Sequence, residues 1–140
     1  MTKCIDTSVW IPYLLPEILQ TQARQLIIPL LTSNMRLVAP AFAWAEVGSI
    51  LRKKARLGTI TAAQAEAFYD DFCQMPVEYL DSDAIRTKTY AIAEKFSLTT
   101  LYDAAFLAVA ELESAEFWTA DQSLLNTLVS CPAWVKKLNA

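Results

Sequence analysis

Short apolar runs alternate along the chain with longer segments whose apolar residues recur at three- and four-residue spacing, which predicts strands interleaved with helices. Lys3 to Ile5 is the first such run. It stops at Asp6-Thr7-Ser8, where hydroxyls and a carboxylate suit the start of a helix over Ser8 to Leu14. Pro12 is expected in the first turn of that helix, where a missing N–H costs nothing, and Pro16 is expected to end it. Glu17 to Leu31 reads as a second helix with the stripe Ile18, Ala23, Leu26, Ile27 and Leu30, kinked or finished by Pro29. Arg36 to Ala39 is a second strand, closed by Pro40. From Ala41 to about Leu57, Phe42, Ala45, Val47, Ile50 and Leu51 repeat at helical spacing, and Gly58 stands where a C-terminal glycine cap belongs.

Thr61-Ala62-Ala63-Gln64 has capping-box spacing and opens a helix to about Gln74, ended by Pro76. Val77 to Leu80 is a third strand. Asp81 and Ser82 are expected to cap a helix reaching about Phe96, and Thr99-Thr100 to open another from Leu101 to Glu113. Glu116 to Trp118 is a fourth strand, Ser123 to Leu128 a short helix, and Trp134-Val135 a last strand. Strands joined through helices imply βα crossovers, hence a parallel sheet flanked by helices on both faces. The fold class is α/β, with residues 1–140 as one domain. Ligands in such sheets bind at the carboxyl ends of strands, where the strand order reverses, so residues just after each strand carry most interest.

Composition narrows the chemistry. With 54% hydrophobic residues, 2 Gly and 6 Pro, the chain is a globular domain, and no stretch approaches the roughly 18 uninterrupted apolar residues of a membrane span. The N-terminus reaches Asp6 before any apolar run of signal-peptide length, so a cytoplasmic protein is expected. Cys4, Cys73 and Cys131 are an odd, widely spaced set and are expected to be buried reduced thiols. Histidine is absent, which excludes Ser-His-Asp and Cys-His hydrolases, His-ligated zinc and His general bases. Chemistry must then come from the 15 carboxylates, hydroxyls, Lys and Arg, or a hard cation held by oxygen. A net charge of −3 gives no global attraction for nucleic acid but leaves room for a local patch.

Four carboxylates stand out. Asp6 directly follows the first strand, where a helix cap is the plain reading unless Thr7 or Ser8 takes that role. Glu46 lies beside the apolar face of its helix, where an acid costs several kcal/mol unless paired or metal-bound. Asp103 opens a helix that is apolar nearly all round and therefore buried; its plain reading is a first-turn acid complementing the helix dipole. Asp121 lies two residues beyond a strand, where an N-cap is the plain reading. Acids gathered at one sheet edge repel one another, and Mg²⁺ or Mn²⁺ would supply the missing charge, lower the pKa of bound water and stabilise phosphoryl oxygens.

Ile5-Asp6-Thr7-Ser8, Ala45-Glu46-Val47, Tyr102-Asp103-Ala104 and Thr119-Ala120-Asp121, in that order and spacing, resemble the PIN domain, in particular VapC-like ribonuclease toxins. The resemblance spans essentially the whole chain. It implies a parallel sheet with helices on both sides and Mg²⁺- or Mn²⁺-dependent cleavage of single-stranded RNA or structured RNA loops, leaving 5′-phosphate and 3′-hydroxyl ends. By match, Asp6, Glu46, Asp103 and Asp121 become catalytic and metal-binding acids, and Ser8 and Thr119 become hydroxyls that position a ligand or water. It also implies a homodimer masked by a small antitoxin, for which the first two apolar helices are the expected groove. Two departures stand out: many relatives carry a basic residue just after the last Asp, where this chain has Gln122-Ser123, and a fifth acid seen in some is Leu125 or Asn126 here.

Arg52-Lys53-Lys54-Ala55-Arg56 is the one dense basic run; its two roles are complementing a helix C-terminus and contacting RNA phosphates. Trp10, Tyr13 and Trp44 are aromatics in the same neighbourhood, expected in the core more than as stacking platforms. The alternative functions are a PIN-like module that holds RNA or protein without cutting and, more distantly, a haloacid-dehalogenase-like phosphatase. The latter would want a second Asp at position 8, which is Ser.

Overall fold

A computed structural model describes residues 1–139. Five parallel strands, β1 (Thr2–Ile5), β2 (Arg36–Pro40), β3 (Val77–Leu80), β4 (Glu116–Thr119) and β5 (Val135–Lys137), form one sheet in the order β3-β2-β1-β4-β5. Seven helices connect them: α1 (Thr7–Leu14), α2 (Gln20–Thr32), α3 (Ala43–Arg56), α4 (Ala62–Cys73), α5 (Asp83–Lys95), α6 (Tyr102–Leu112) and α7 (Gln122–Thr127). The strand order reverses between β1 and β4. Asp6 and Asp121 follow the strands on either side of that seam.

Alternation along each strand splits the core between two faces. Cys4, Val38 and Phe117 pack on one side with Phe106 and Leu107 of α6, while Ile5, Leu37 and Trp118 pack on the other with Val9, Val47 and Phe72. Every residue from Ala104 to Ala110 is buried, as expected of a helix that is apolar all round, and α6 crosses β1, β2 and β4. This fixes Asp103, in its first turn, at the carboxyl edge of the sheet.

Several local expectations hold for the reasons given. Gly58 has φ +80°, and the amides of Gly58 and Thr59 bond back to Ala55 and Lys54, which ends α3 in a Schellman motif. Thr61 and Gln64 form a reciprocal capping box, and Ser82 caps α5 through the Ile85 amide. Others need correction. Helix α1 begins at Thr7, so Pro12 lies inside it and removes one backbone bond. Helix α2 begins only at Gln20, which leaves Ile18 outside it and 91% exposed, and it continues past Pro29 to Thr32. Asp81 pairs with Arg86, leaving Ser82 alone as the cap. Neither Thr99 nor Thr100 caps α6, whose N-cap is Leu101 without a side-chain bond. The last strand starts at Val135, and Trp134 precedes it with its carbonyl accepting from Phe117. Only Cys4 of the three free cysteines is buried; Cys73 and Cys131 are exposed.

Candidate active site

Asp6 is held at the β1–β4 seam because its amide still donates to the Trp118 carbonyl at 2.9 Å, although β1 has ended. Its own carbonyl accepts from Val9 and Trp10 and thereby starts α1. The side chain does not cap the helix, and neither Thr7 nor Ser8 replaces it in that role. Asp6 Oδ2 instead accepts from Ser8 Oγ at 2.7 Å and from Thr119 Oγ1 at 2.8 Å, while the residue as a whole is only 4% exposed. Each hydroxyl has a single proton, so with both aimed at Asp6 the 3.2 Å approach of Ser8 to Thr119 is a contact without a shared proton. The two hydroxyl oxygens accept in turn from the loop after β4: the Ala120 amide reaches Ser8 at 2.9 Å and the Asp121 amide reaches Thr119 at 3.0 Å. The loop that carries Asp121 is thus stitched to Asp6 through two side chains.

Asp121 is the N-cap of α7, with Oδ1 accepting from the Leu124 amide at 3.1 Å. Its plain reading is therefore correct, and the capping bond fixes its orientation beside the seam. Glu46 projects from the first turn of α3 and accepts a short hydrogen bond from the buried Thr7 hydroxyl. Thr7 was the residue that sequence reasoning missed. The signal lay in Glu46 itself, since an acid beside a core face needs a donor.

Electrostatics bind the set together. Burial pushes the Asp6 carboxyl up, the charge of Asp121 adds to that, and hydrogen bonds from Ser8, Thr119 and the Thr7 backbone pull against it. Burial also raises Glu46, with the Asp6 charge adding to it and the Thr7 hydroxyl opposing. Asp103 is pushed up to about 6 by burial first, then by the charges of Asp6, Asp121 and Glu46. Four elements thus bring four carboxylates within one another's field. None of the four shares an ion pair among the described residues.

The donor set is all oxygen and uncompensated, which fits a hard divalent cation. Among the described residues no three Asp, Glu, Cys or His side chains converge into a closed ligand set. Beside Asp103 lies a cleft of about 860 Å³ walled by Phe42, Trp44, Leu80, Leu101 and Tyr102.

The remaining candidates separate. Lys54 pairs with Glu17 at 2.7 Å, whereas Arg52, Lys53 and Arg56 are exposed. Trp10 is core, edge-on to Phe72, and Tyr13 is half-buried against it; Trp44 is 47% exposed. Helix α1 buries Val9, Trp10, Ile11, Pro12 and Leu14, and α2 buries Ala23, Ile27 and Leu30. The first two helices therefore commit most of their apolar surface to the core, while Ile18 and Ile28 are exposed and Ile11, Pro12, Ile18 and Leu19 line an open pocket of about 380 Å³ beside Ser8 and Ala120.

The family model of the PIN domain matches residues 3–127. The chain belongs to the PIN domain family. Its fold is shared with the Pyrobaculum aerophilum protein PAE2754 at 21% identity and a TM-score of 0.67, over 97% of this chain and 89% of that one. It is also shared with a toxin–antitoxin complex from Klebsiella pneumoniae (20% identity, TM-score 0.60, 85% and 86% covered). VapBC2 from Rickettsia felis, bound to a DNA fragment from its promoter, is similar at 13% identity and a TM-score of 0.69, over 98% and 97%. No curated protein sequence matches the chain. PIN domains are as a family nucleases, which sets the phosphatase alternative aside. No helix of this PIN domain among the described residues is long and apolar enough to cross a membrane.

Proposed function

We propose that this PIN domain is a metal-dependent endoribonuclease that hydrolyses single-stranded RNA and acts as the toxin of a toxin–antitoxin pair. The observation that carries this reading is the cluster at the β1–β4 seam: Asp6, Glu46 and Asp103, from three elements, are each raised by burial and by a neighbouring carboxylate of the set that includes Asp121, and none is in an ion pair among the described residues. Asp6, Glu46, Asp103 and Asp121 would hold Mg²⁺ or Mn²⁺. Such an ion, when bound, makes water a better nucleophile and offsets charge on phosphoryl oxygens. The chain's own part is positional. Ser8 and Thr119 commit their protons to Asp6, keeping its carboxylate in one orientation, and Thr7 does the same for Glu46. The bond broken is P–O3′, leaving a 5′-phosphate and a 3′-hydroxyl. The toxin–antitoxin complexes that share this fold support a small protein antitoxin as partner, and a homodimer belongs to the same reading.

The test is cleavage of an unstructured oligoribonucleotide in Mn²⁺, in EDTA, and by Asp6→Asn and Asp103→Asn proteins. Cleavage in Mn²⁺, abolished by EDTA and by either substitution while the fold is kept, is the expected result. Persistent activity in either variant would overturn the assignment. The absence of a closed ligand set favours a second reading, a PIN domain that binds RNA without cutting, which predicts no metal-dependent cleavage at all.

A further inference from the structure

Helices α3 and α4 enclose an open groove of about 690 Å³ that runs from Trp44 and Ala45 to Arg52 and Arg56, with Glu66 on its α4 wall. Trp44 and Ala45, at its upper end, immediately precede Glu46 on α3 and also line the cleft beside Asp103. Arg52 and Arg56 lie further along the same wall. At about 1.5 Å rise per residue they stand roughly 9 and 15 Å along the helix from Glu46. The opposite wall is α4, whose Tyr69 ring closes over Gly48; a Cβ there would sit 2.8 Å from Tyr69 Cε1.

The basic residues divide clearly. Lys3, Arg36, Lys54, Arg86 and Lys88 are committed to carboxylates. The other seven have no such partner among the described residues, and of these Arg52 and Arg56 line this groove, whose end at Trp44 and Ala45 also borders the cleft by Tyr102. A nucleic-acid strand at the seam meets four carboxylates that repel its phosphates, so its flanks need cations within reach. This groove supplies two. It also supplies Trp44, 47% exposed and not needed to fill the core, as a face on which a base can stack.

Resting on the nuclease reading above, we infer that the α3–α4 groove is the track for the flank of a single-stranded RNA substrate, with a base stacked on Trp44 and phosphates held by Arg52 and Arg56. The basic run is thereby split. Lys54 stabilises the fold through Glu17, and the two arginines, four residues apart on one helix face, serve the substrate.

The test is fluorescence-anisotropy binding of a 5′-labelled, unstructured 12-nucleotide RNA in EDTA, so that no cleavage intervenes, over a range of salt concentrations. Each single-strand phosphate contact contributes about 0.7 to the slope of log K against log salt, so Arg52→Ala with Arg56→Ala should lower that slope by about 1.4. Trp44→Ala should weaken binding roughly 5- to 150-fold at every salt concentration, and Trp44→Phe should recover most of it. Melting temperatures of the variants should match wild type, since all three side chains are exposed. Wild-type binding and slope in folded variants would overturn the track and leave the groove as a seat for a protein segment. Groove-dependent binding without cleavage in Mn²⁺ would instead refute the nuclease reading while sparing the track.

Discussion

Neutralising Asp103 should stabilise the metal-free protein, and the gain should grow between about pH 4 and pH 6. In the folded protein the Asp103 carboxyl is pushed up to about 6 from an ordinary 3.8. The folded state therefore holds a proton that the unfolded chain has released, so this group's favourable contribution is complete below 3.8 and is lost as pH rises through 6. At 1.36 kcal/mol per pH unit the ceiling is about 3 kcal/mol. Asp103 is only half-buried, and solvent screening reduces that to about 1–2 kcal/mol. Asn keeps the shape and does not titrate. Urea denaturation of wild type and Asp103→Asn in EDTA, at pH 4, 5, 6 and 7.5, should show a difference in favour of the variant that opens over this window and then levels off. Millimolar Mn²⁺ should close the gap, because an ion bound only by the folded wild type stabilises it by mass action. The competing view, a first-turn acid complementing the α6 dipole, predicts the opposite sign: a variant less stable by about 0.3–1 kcal/mol wherever the carboxylate is charged. A less stable variant at pH 7.5, or a gap that does not change with pH, would refute the reasoning.

Two further outcomes follow from packing and hydrogen bonding. Thr119→Val keeps the side-chain shape but removes the proton given to Asp6 and the acceptor of the Asp121 amide; it should cost about 1–3 kcal/mol in urea denaturation and raise the Asp6 carboxyl further in a carboxyl NMR titration, and unchanged stability would contradict the clamp. Gly48→Ala should gain about 1 kcal/mol of helix propensity and lose a similar amount displacing the Tyr69 ring, so it should become clearly stabilising only in a Tyr69→Ala background; strict additivity in that double-mutant cycle would show that the two do not interact.

The architecture was legible where local physics decided it. The Gly58 stop, the Thr61–Gln64 box and the wholly apolar α6 each announce themselves within one or two turns of chain, and together they fix the α/β class. Expectations failed where a side chain had two possible employers. Asp6-Thr7-Ser8 has the composition of a cap, but Thr119 and Glu46, 113 and 39 residues away, outbid the local helix amides for these groups. Thr99 and Thr100 are equally cap-like, yet α6 begins after Leu101. How much apolar surface the first helices bury in the core, and that Ile18 and Ile28 stay outside it, depends on packing with distant segments. Competition between local and distant partners is what a single sequence does not display.

The site's charge balance explains why its departure from the common family pattern need not disable it. Where many relatives place a cation after the last acid, this chain has Gln122, whose uncharged amide donates to Asn126 at 2.7 Å within α7 and so offers a phosphate no charge. Among the described residues none of the four carboxylates at the seam is in an ion pair. Burial raises the Asp6 carboxyl at 4% exposure in spite of three donors, and all three are uncharged, so they orient it without neutralising it. Neutralisation must therefore come from outside the carboxylate cluster. On the proposed reading a metal ion answers for the acids themselves. On the same reading the cations for the flanking phosphates sit on α3, the helix that also delivers Glu46, so one rigid element would fix the spacing between the acids and the arginines. A basic residue on the short α7 would sit closer, but one placed on α3 does not weaken the acidic field that would attract the proposed metal.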